Sequence, residues 1–221
     1  MGEGRNGPER LKSVTRSSDR PARTRARDRR CTRAPPSARM VSPVPGSLLV
    51  AEPPMADPNF RRAVLLLCEH TTDGSFGLVL NRPTGLTLSQ AAADPLPFDA
   101  DLGLGGPVQP DTLHYLHPYE GLDGALPVCD DVYWGGSFEE VQDGVRAGWL
   151  DAERFRFFVG YSGWSPGQLD TEVDEGAWIV LDGSADVVFA DGSDALWRGV
   201  LRRLGGEYAL LSTFPDDPRL N

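Results

Sequence analysis

The residues best placed to do chemistry lie in one stretch, Gly160 to Val173 (GYSGWSPGQLDTEV), where an indole, an amide and a carboxylate stand among turn-forming residues. Gly160, Gly163, Gly167 and Pro166 allow backbone conformations that other residues resist, so the stretch reads as a shaped loop. Ser165, Pro166 and Gln168 then fit a helix start, with Ser165 as N-cap, Pro166 at the first helical position and Gln168 closing a capping box; a short helix runs on through Val173. On this reading Trp164 either fills the core or walls a pocket, and Gln168 and Glu172, four residues apart, share a helix face.

Other groups invite chemistry less directly. Ser162 in GYSGW resembles a nucleophile elbow, but its second glycine follows at once, whereas the elbow needs it one residue later. His114 and His117, with Glu120 nearby, would share a metal ion only on a helix; Leu113, Tyr115 and Leu116 make the segment a strand, where residues three apart face opposite ways. His70, after Glu69, ends a buried strand beside a tight turn and reads either as a hydrogen-bonded structural residue or as a general base oriented by Glu172. The glycine-rich GLGGPVQP segment (103–110) cannot open a phosphate-binding helix, because Pro107 and Pro110 forbid it. Cys68 and Cys129 lack CxxC spacing, and Cys68 within VLLLCEH reads as a small buried hydrophobe in a reduced cytoplasm. No cofactor or metal is expected.

The elements that must position these groups are short. Apolar runs at 46–51, 63–70, 76–81, 113–117, 125–128, 132–134 and 155–161 predict strands, with Asp73-Gly74 as the hairpin turn that puts His70 and Asn81 at opposite ends. Two more, 177–181 and 187–189, are expected to pair across Asp182-Gly183. Helices are expected from Thr87 to Ala93, with Thr87 and Gln90 as capping box, from Ser137 to Gly148, through Gln168, and from Ser193 to Gly205, with Tyr208 to Ser212 as the last element. About nine strands and four helices in runs, without strict alternation or internal repeat, mean an α+β fold with a mostly antiparallel or mixed sheet.

Of 22 Lys+Arg and 32 Asp+Glu, residues 1–39 hold 12 and 4, leaving 10 and 28, a net charge of −18, for residues 40–221. Lys12 is the only lysine. So acidic a body repels phosphate backbones and suits a salt-rich cytoplasm. The first 39 residues lack apolar periodicity and are expected to be a disordered basic tail, with Met40 as an alternative translation start and 40–221 as one domain. No secretory leader pattern and no run of 18 apolar residues is seen, so neither export nor membrane insertion is expected.

The blocks GSLLVAEPPMADPNFRRAVLLLCEH, DGSFGLVLNRP, GGPVQPDTLHYLH and GYSGWSPGQLDTEV followed by AW together resemble the YqgE/AlgH family of bacterial proteins, over residues 46 to about 204. The resemblance implies a compact α+β domain with a barrel-like sheet. It also implies a regulatory role, since the family is described as transcriptional regulators through a member linked to exopolysaccharide control, without an established biochemical activity. TLHYLH after GGPVQPD and the ending FPDDPRLN depart from the family pattern and mark a subgroup.

The family blocks contain His70, Asn81, Arg82, Gly105, Gly106, Pro107, Trp164, Gln168 and Glu172. These nine are the candidate lining of a cleft walled by Trp164 and floored by the GGPV turn, holding a small ligand or a partner peptide in a non-enzymatic regulatory or binding module. The alternative is a hydrolase or lyase using His70 as base. Direct DNA binding by the acidic body is not expected.

Overall fold

The computed structural model describes residues 42–214 apart from 93, 94 and 194. The expected tail, Met40 and the last residue of the 87–93 helix lie outside the described residues.

Among the described residues ten strands form the frame: β1 (Ser47–Ala51), β2 (Val64–Thr71), β3 (Gly74–Val79), β4 (Pro83–Thr87), β5 (Asp101–Leu104), β6 (Val108–His117), β7 (Leu126–Cys129), β8 (Val132–Trp134), β9 (Arg156–Trp164) and β10 (Trp178–Asp182). They make one sheet in the order β10-β1-β2-β3-β9-β6-β8-β7, with β5 joined to β4 and to β9. All pairs are antiparallel except β5 with β9, and the sheet curls into a half-barrel. Among the described residues six α-helices accompany it: α1 (Leu88–Ala91), α2 (Phe138–Arg146), α3 (Gln168–Asp174), α4 (Ala185–Val188), α5 (Ala195–Leu204) and α6 (Gly206–Leu211).

The unbroken apolar runs of β1 and β2 follow from burial on both faces. Leu48, Val50, Val64 and Leu66 pack on one side with Leu78, Phe158 and the α5 residues Trp197 and Leu201. Their neighbours Leu49, Leu65 and Leu67 face the other way, against Trp164, Trp178 and Leu169 of α3. A third cluster, including Tyr115, Phe157 and Val141, sits under α2. A register shift between Leu67 and Glu69 breaks the alternation of β2. Beyond this bulge Glu69 pairs with Phe76 and His70 with Ser75, which turns Glu69 toward the Phe76 face.

Two expectations fail here. Residues 187–189 do not return as a strand: β10 pairs with β1, and 185–188 form α4. Asp182-Gly183 is no hairpin turn because Gly183 lies against the start of β1, where a Cβ would stand 2.0 Å from the Gly46 carbonyl oxygen. The second failure is the helix count of about four, since two short helices, α4 and α6, have too little periodicity to be read.

Candidate functional site

The stretch read as a loop is mostly strand, because β9 continues to Trp164 and only Ser165–Gly167 turn before α3. Of its glycines, Gly160 serves close backbone approach. Gly160 has φ +65, and a Cβ there would lie 2.7 Å from the Gly106 oxygen. Conversely, a Cβ on Gly105 would stand 2.3 Å from the Gly160 oxygen, and one on Gly106 2.2 Å from the Tyr161 carbonyl carbon. The GGPV turn is therefore pressed backbone to backbone on β9, with Pro107 exposed. Ser162, fully buried, donates its hydroxyl to the Gly105 carbonyl at 3.1 Å and joins the same contact.

Beyond that contact β9 delivers Trp164 into the core at 6 % exposure. Its indole Nε1–H donates to Glu172 Oε2 at 2.9 Å, and the Nε1–H of Trp178 donates to the same oxygen at 2.8 Å. The other oxygen, Oε1, accepts from Gln168 Nε2 at 3.0 Å. Gln168 Oε1 in turn accepts from the Ser165 backbone N–H at 3.0 Å, so half of the expected capping box exists although Gly167, at φ 71, is the N-cap. Phe60 stacks on Trp164 and meets Trp178 edge-on, with centroids 6.2 and 5.6 Å away. Trp164 is thus a core residue with its polar edge satisfied, and the expected exposed ring beside the GGPV turn is not found. Sequence reasoning missed Trp178 as the second donor, although the AW pair after the helix was its signal.

His70 does not share this carboxylate. Its Nδ1 lies 2.7 Å from Ser75 Oγ and its Nε2 3.5 Å from Asp170 Oδ1. With the ring proton on Nε2, His70 accepts from the Ser75 hydroxyl and donates toward Asp170, which ties the β2–β3 hairpin to α3. Asn81 is at the far end of β3, six residues or about 20 Å from Ser75. Fully buried, it accepts from Val64 N–H and donates to the Arg62 carbonyl, both at 2.9 Å, while Arg82 donates to the carbonyls of Asn81 and Arg61. The nine candidates thus fall into three groups: Trp164, Gln168 and Glu172, with His70 beside α3; Gly105 to Pro107 against β9; and Asn81 with Arg82 at the opposite end.

The histidines of β6 separate as strand geometry requires. His114 packs among Phe76, Trp134 and Tyr161, and burial pushes its pKa down. His117 faces Tyr115 and Phe155, donates from Nε2 to the Gly135 carbonyl at 2.9 Å and accepts from Tyr119 N–H at Nδ1. Burial depresses it too, against the pull of those hydrogen bonds. Among the described residues no group of three or more His, Cys, Asp or Glu side chains is placed to hold a metal ion. Cys68 is buried, and desolvation raises its thiol pKa.

Two hollows flank this frame. One, of about 570 Å³, opens where the hairpin tip meets the end of β9 and is lined by Glu69, Phe76, Val108, Tyr161, Gly163 and the Trp164–Pro166 turn, among others. The second, of about 630 Å³, lies toward Arg82 and mixes Arg82 and Arg156 with Asp99, Asp101, Glu153 and Asp191. Arg156 spans elements there, donating to the Leu80 and Val188 carbonyls at 2.6 Å each. Burial lowers its pKa to about 10, with Asp191 opposing. Glycine suits position 192, because a Cβ would stand 2.8 Å from the Leu80 carbonyl oxygen as well as 2.3 Å from Arg156 Nη2. In the sequence Arg156 has one signal, that of a lone arginine in an aromatic strand.

Residues 48–209 match the sequence profile of the AlgH-like family. A UPF0301 protein of Cytophaga hutchinsonii is 41% identical over 178 residues, covering 80% of this chain and 98% of that protein; one from Chlorobaculum tepidum is 42% identical, covering 80% and 95%. Among solved structures, the solution structure of the AlgH protein from Pseudomonas aeruginosa superposes with a TM-score of 0.62 at 31% identity, covering 78% of this chain and 94% of that one. A crystal structure of a Corynebacterium diphtheriae protein gives a TM-score of 0.66 at 28% identity, covering 79% and 94%.

Proposed function

The chain belongs to the AlgH-like family, and from that membership and the geometry above we propose that it works as a non-enzymatic regulatory or binding module, capturing a small ligand or partner peptide at the Trp164 end of the sheet. The observation that carries this reading is the fixed wall of the hollow. Glu172 holds two indoles and Gln168 at once, and Gln168 holds the Ser165 turn, so the wall is set before a ligand arrives. In this reading the protein acts in the cytoplasm without cofactor or metal. Regulation would run through the captured molecule rather than through direct DNA contact, because the body repels phosphates. Among the described residues no helix is long and apolar enough to cross a membrane, and no membrane role is proposed.

The test is a 1H–15N NMR titration of the full chain with a panel of cationic, anionic and neutral small molecules and peptides. Shifts at the amides of Gly74, Gly163 and Ser165 and at the Trp164 indole support the reading. Shifts confined to the Arg82 end, or none across the panel, would sink it.

One observation favours the hydrolase alternative: Ser75, His70 and Asp170 stand in the order of nucleophile, base and orienting acid. Ser75 pairs with Trp164 and His70 with Ser75, so all three side chains share the face that α3 covers. Ser75 is among the residues that line the hollow, but its hydroxyl is engaged by His70 on the Trp164 face, which is why binding ranks first. Labelling of Ser75 by a fluorophosphonate, lost in Ser75→Ala, would reverse the ranking.

A further inference from the structure

We propose that the hollow over Gly163 binds an organic cation, an ammonium or guanidinium group carried on an apolar stem. This rests on the binding reading above and names its ligand class. The site follows from register. Tyr161 pairs with Val108, Gly163 with Phe76, and Phe76 with Glu69, so these five residues point to one face of four adjoining strands. In the middle of that row Gly163 has no side chain. A Cβ there would meet the Tyr161 ring at 3.2 Å and, at ordinary contact distance, the Ser75 carbonyl oxygen at 3.9 Å, so the space above it is bounded by a ring rather than filled.

The walls are the half-buried rings of Phe76 and Tyr161, with centroids 4.9 Å apart. They are backed by His114 and Trp134, whose rings both contact Phe76. Aromatic faces attract cations. Two carboxylates, Glu69 and Asp73, stand at the rim, both exposed, and no lysine, arginine or histidine lines the space. Among the described residues neither carboxylate has a hydrogen-bond or ion-pair partner, and the Tyr161 hydroxyl has none either. Two carboxylates and a hydroxyl, all able to accept N–H donors, therefore line one aromatic slot, in a body of net charge −18 over residues 40–221 that draws cations toward it. The opposite hollow has no such bias, because arginines and carboxylates mix there.

Two sources carry this chemistry, a free small amine and a basic side chain of another protein. The test titrates the full chain, by NMR at low salt, with n-butylammonium, with N-acetyl-arginine methylamide, with its neutral citrulline counterpart, and with a short arginine-containing peptide. The two small cations shifting Gly163 and Ser165, with citrulline at least about tenfold weaker, supports the inference with a small amine as sufficient ligand. Saturation by the peptide alone supports it with a protein as the source. Glu69→Gln, an exposed change that leaves packing intact, should weaken the cation about threefold to tenfold, and Tyr161→Leu about as much. Citrulline binding as well as arginine, or an unchanged Glu69→Gln titration, overturns the cation inference. Anionic or neutral panel members shifting the same amides while cations do not would end it yet leave the binding reading standing; no response from any compound ends both.

Discussion

Trp164 and Trp178 donate their indole N–H groups to one carboxylate oxygen, Oε2 of Glu172, at 2.9 and 2.8 Å. The two rings come from β9 and β10, and the acid from the helix between them, so a single atom fixes how α3 sits on the sheet. Hydrogen bonds to a charged acceptor are stronger than neutral ones, and truncating the acceptor strands two buried donors. Glu172→Ala should therefore cost about 2 to 4 kcal/mol, while Glu172→Gln, which keeps one acceptor, should cost about half that. Urea midpoints measured at unchanged slope check both.

Trp164→Ala should destabilise by about 3 to 5 kcal/mol, because the ring is 6 % exposed and packed on Phe60, Trp178 and Leu169. A midpoint near wild type in chemical denaturation would mean that the ring is dispensable to the core and would return it to the role of an open pocket wall.

The framework was legible because it rests on local signals. The apolar runs of β1 and β2, the β2–β3 hairpin signalled by Asp73-Gly74, whose two turn residues are Thr72 and Asp73, and the Ser137 cap of α2, which accepts from Glu140 N–H, each announce themselves within a few residues. What failed depended on partners distant in sequence. Gly160 looks like a loop residue until the GGPV turn, more than fifty positions earlier, is seen to occupy the space of its side chain. Chemistry alone pairs His70 with Glu172, whereas the bulge after Leu67 and the pitch of α3 bring Asp170 to it instead. Nothing local to Glu69 marks it as the neighbour of Phe76 on a sheet face, since one extra residue in β2 reverses the alternation.

The glycine contacts make a graded prediction. At Gly106 a Cβ would stand 2.2 Å from a backbone carbon and 2.3 Å from a backbone oxygen of Tyr161, neither of which can swing aside, so Gly106→Ala should cost at least about 3 kcal/mol or prevent soluble expression. Gly167, at φ 71, meets nothing within 4 Å, and Gly167→Ala should lose only the strain of a left-handed residue, about 1 to 2 kcal/mol. Thermal melts of the pair decide; equal losses would contradict the packing of the GGPV turn on β9.

Stability should fall with acid through His114 and His117. Burial lowers both from the ordinary 6.5, so below that value the unfolded chain takes up protons that the folded chain refuses. The stabilisation is complete above pH 6.5 and drains away as pH falls from there toward the folded values. Imidazole NMR titrations of the folded protein should give both midpoints below 6.5, and His114→Phe should flatten the decline of urea midpoint between about pH 6.5 and 5. Folded midpoints at or above 6.5 for both rings would refute the assignment.

Duplex DNA provides the sharpest check on the regulatory role proposed for a protein of this composition. Affinity for DNA comes largely from counterions released when basic side chains neutralise phosphates. Residues 40–221 carry 10 basic against 28 acidic groups, whereas residues 1–39 carry 12 against 4. A chain starting at Met40 should therefore show no gel shift with any duplex at about 150 mM salt. The full chain should show at most weak binding, indifferent to sequence and abolished by raising the salt, because an arginine-rich segment contacts phosphates without reading bases. Sequence-specific binding at nanomolar concentration by the shorter chain would require a basic face that the charge balance denies, and would replace control through a captured ligand with control at the operator itself.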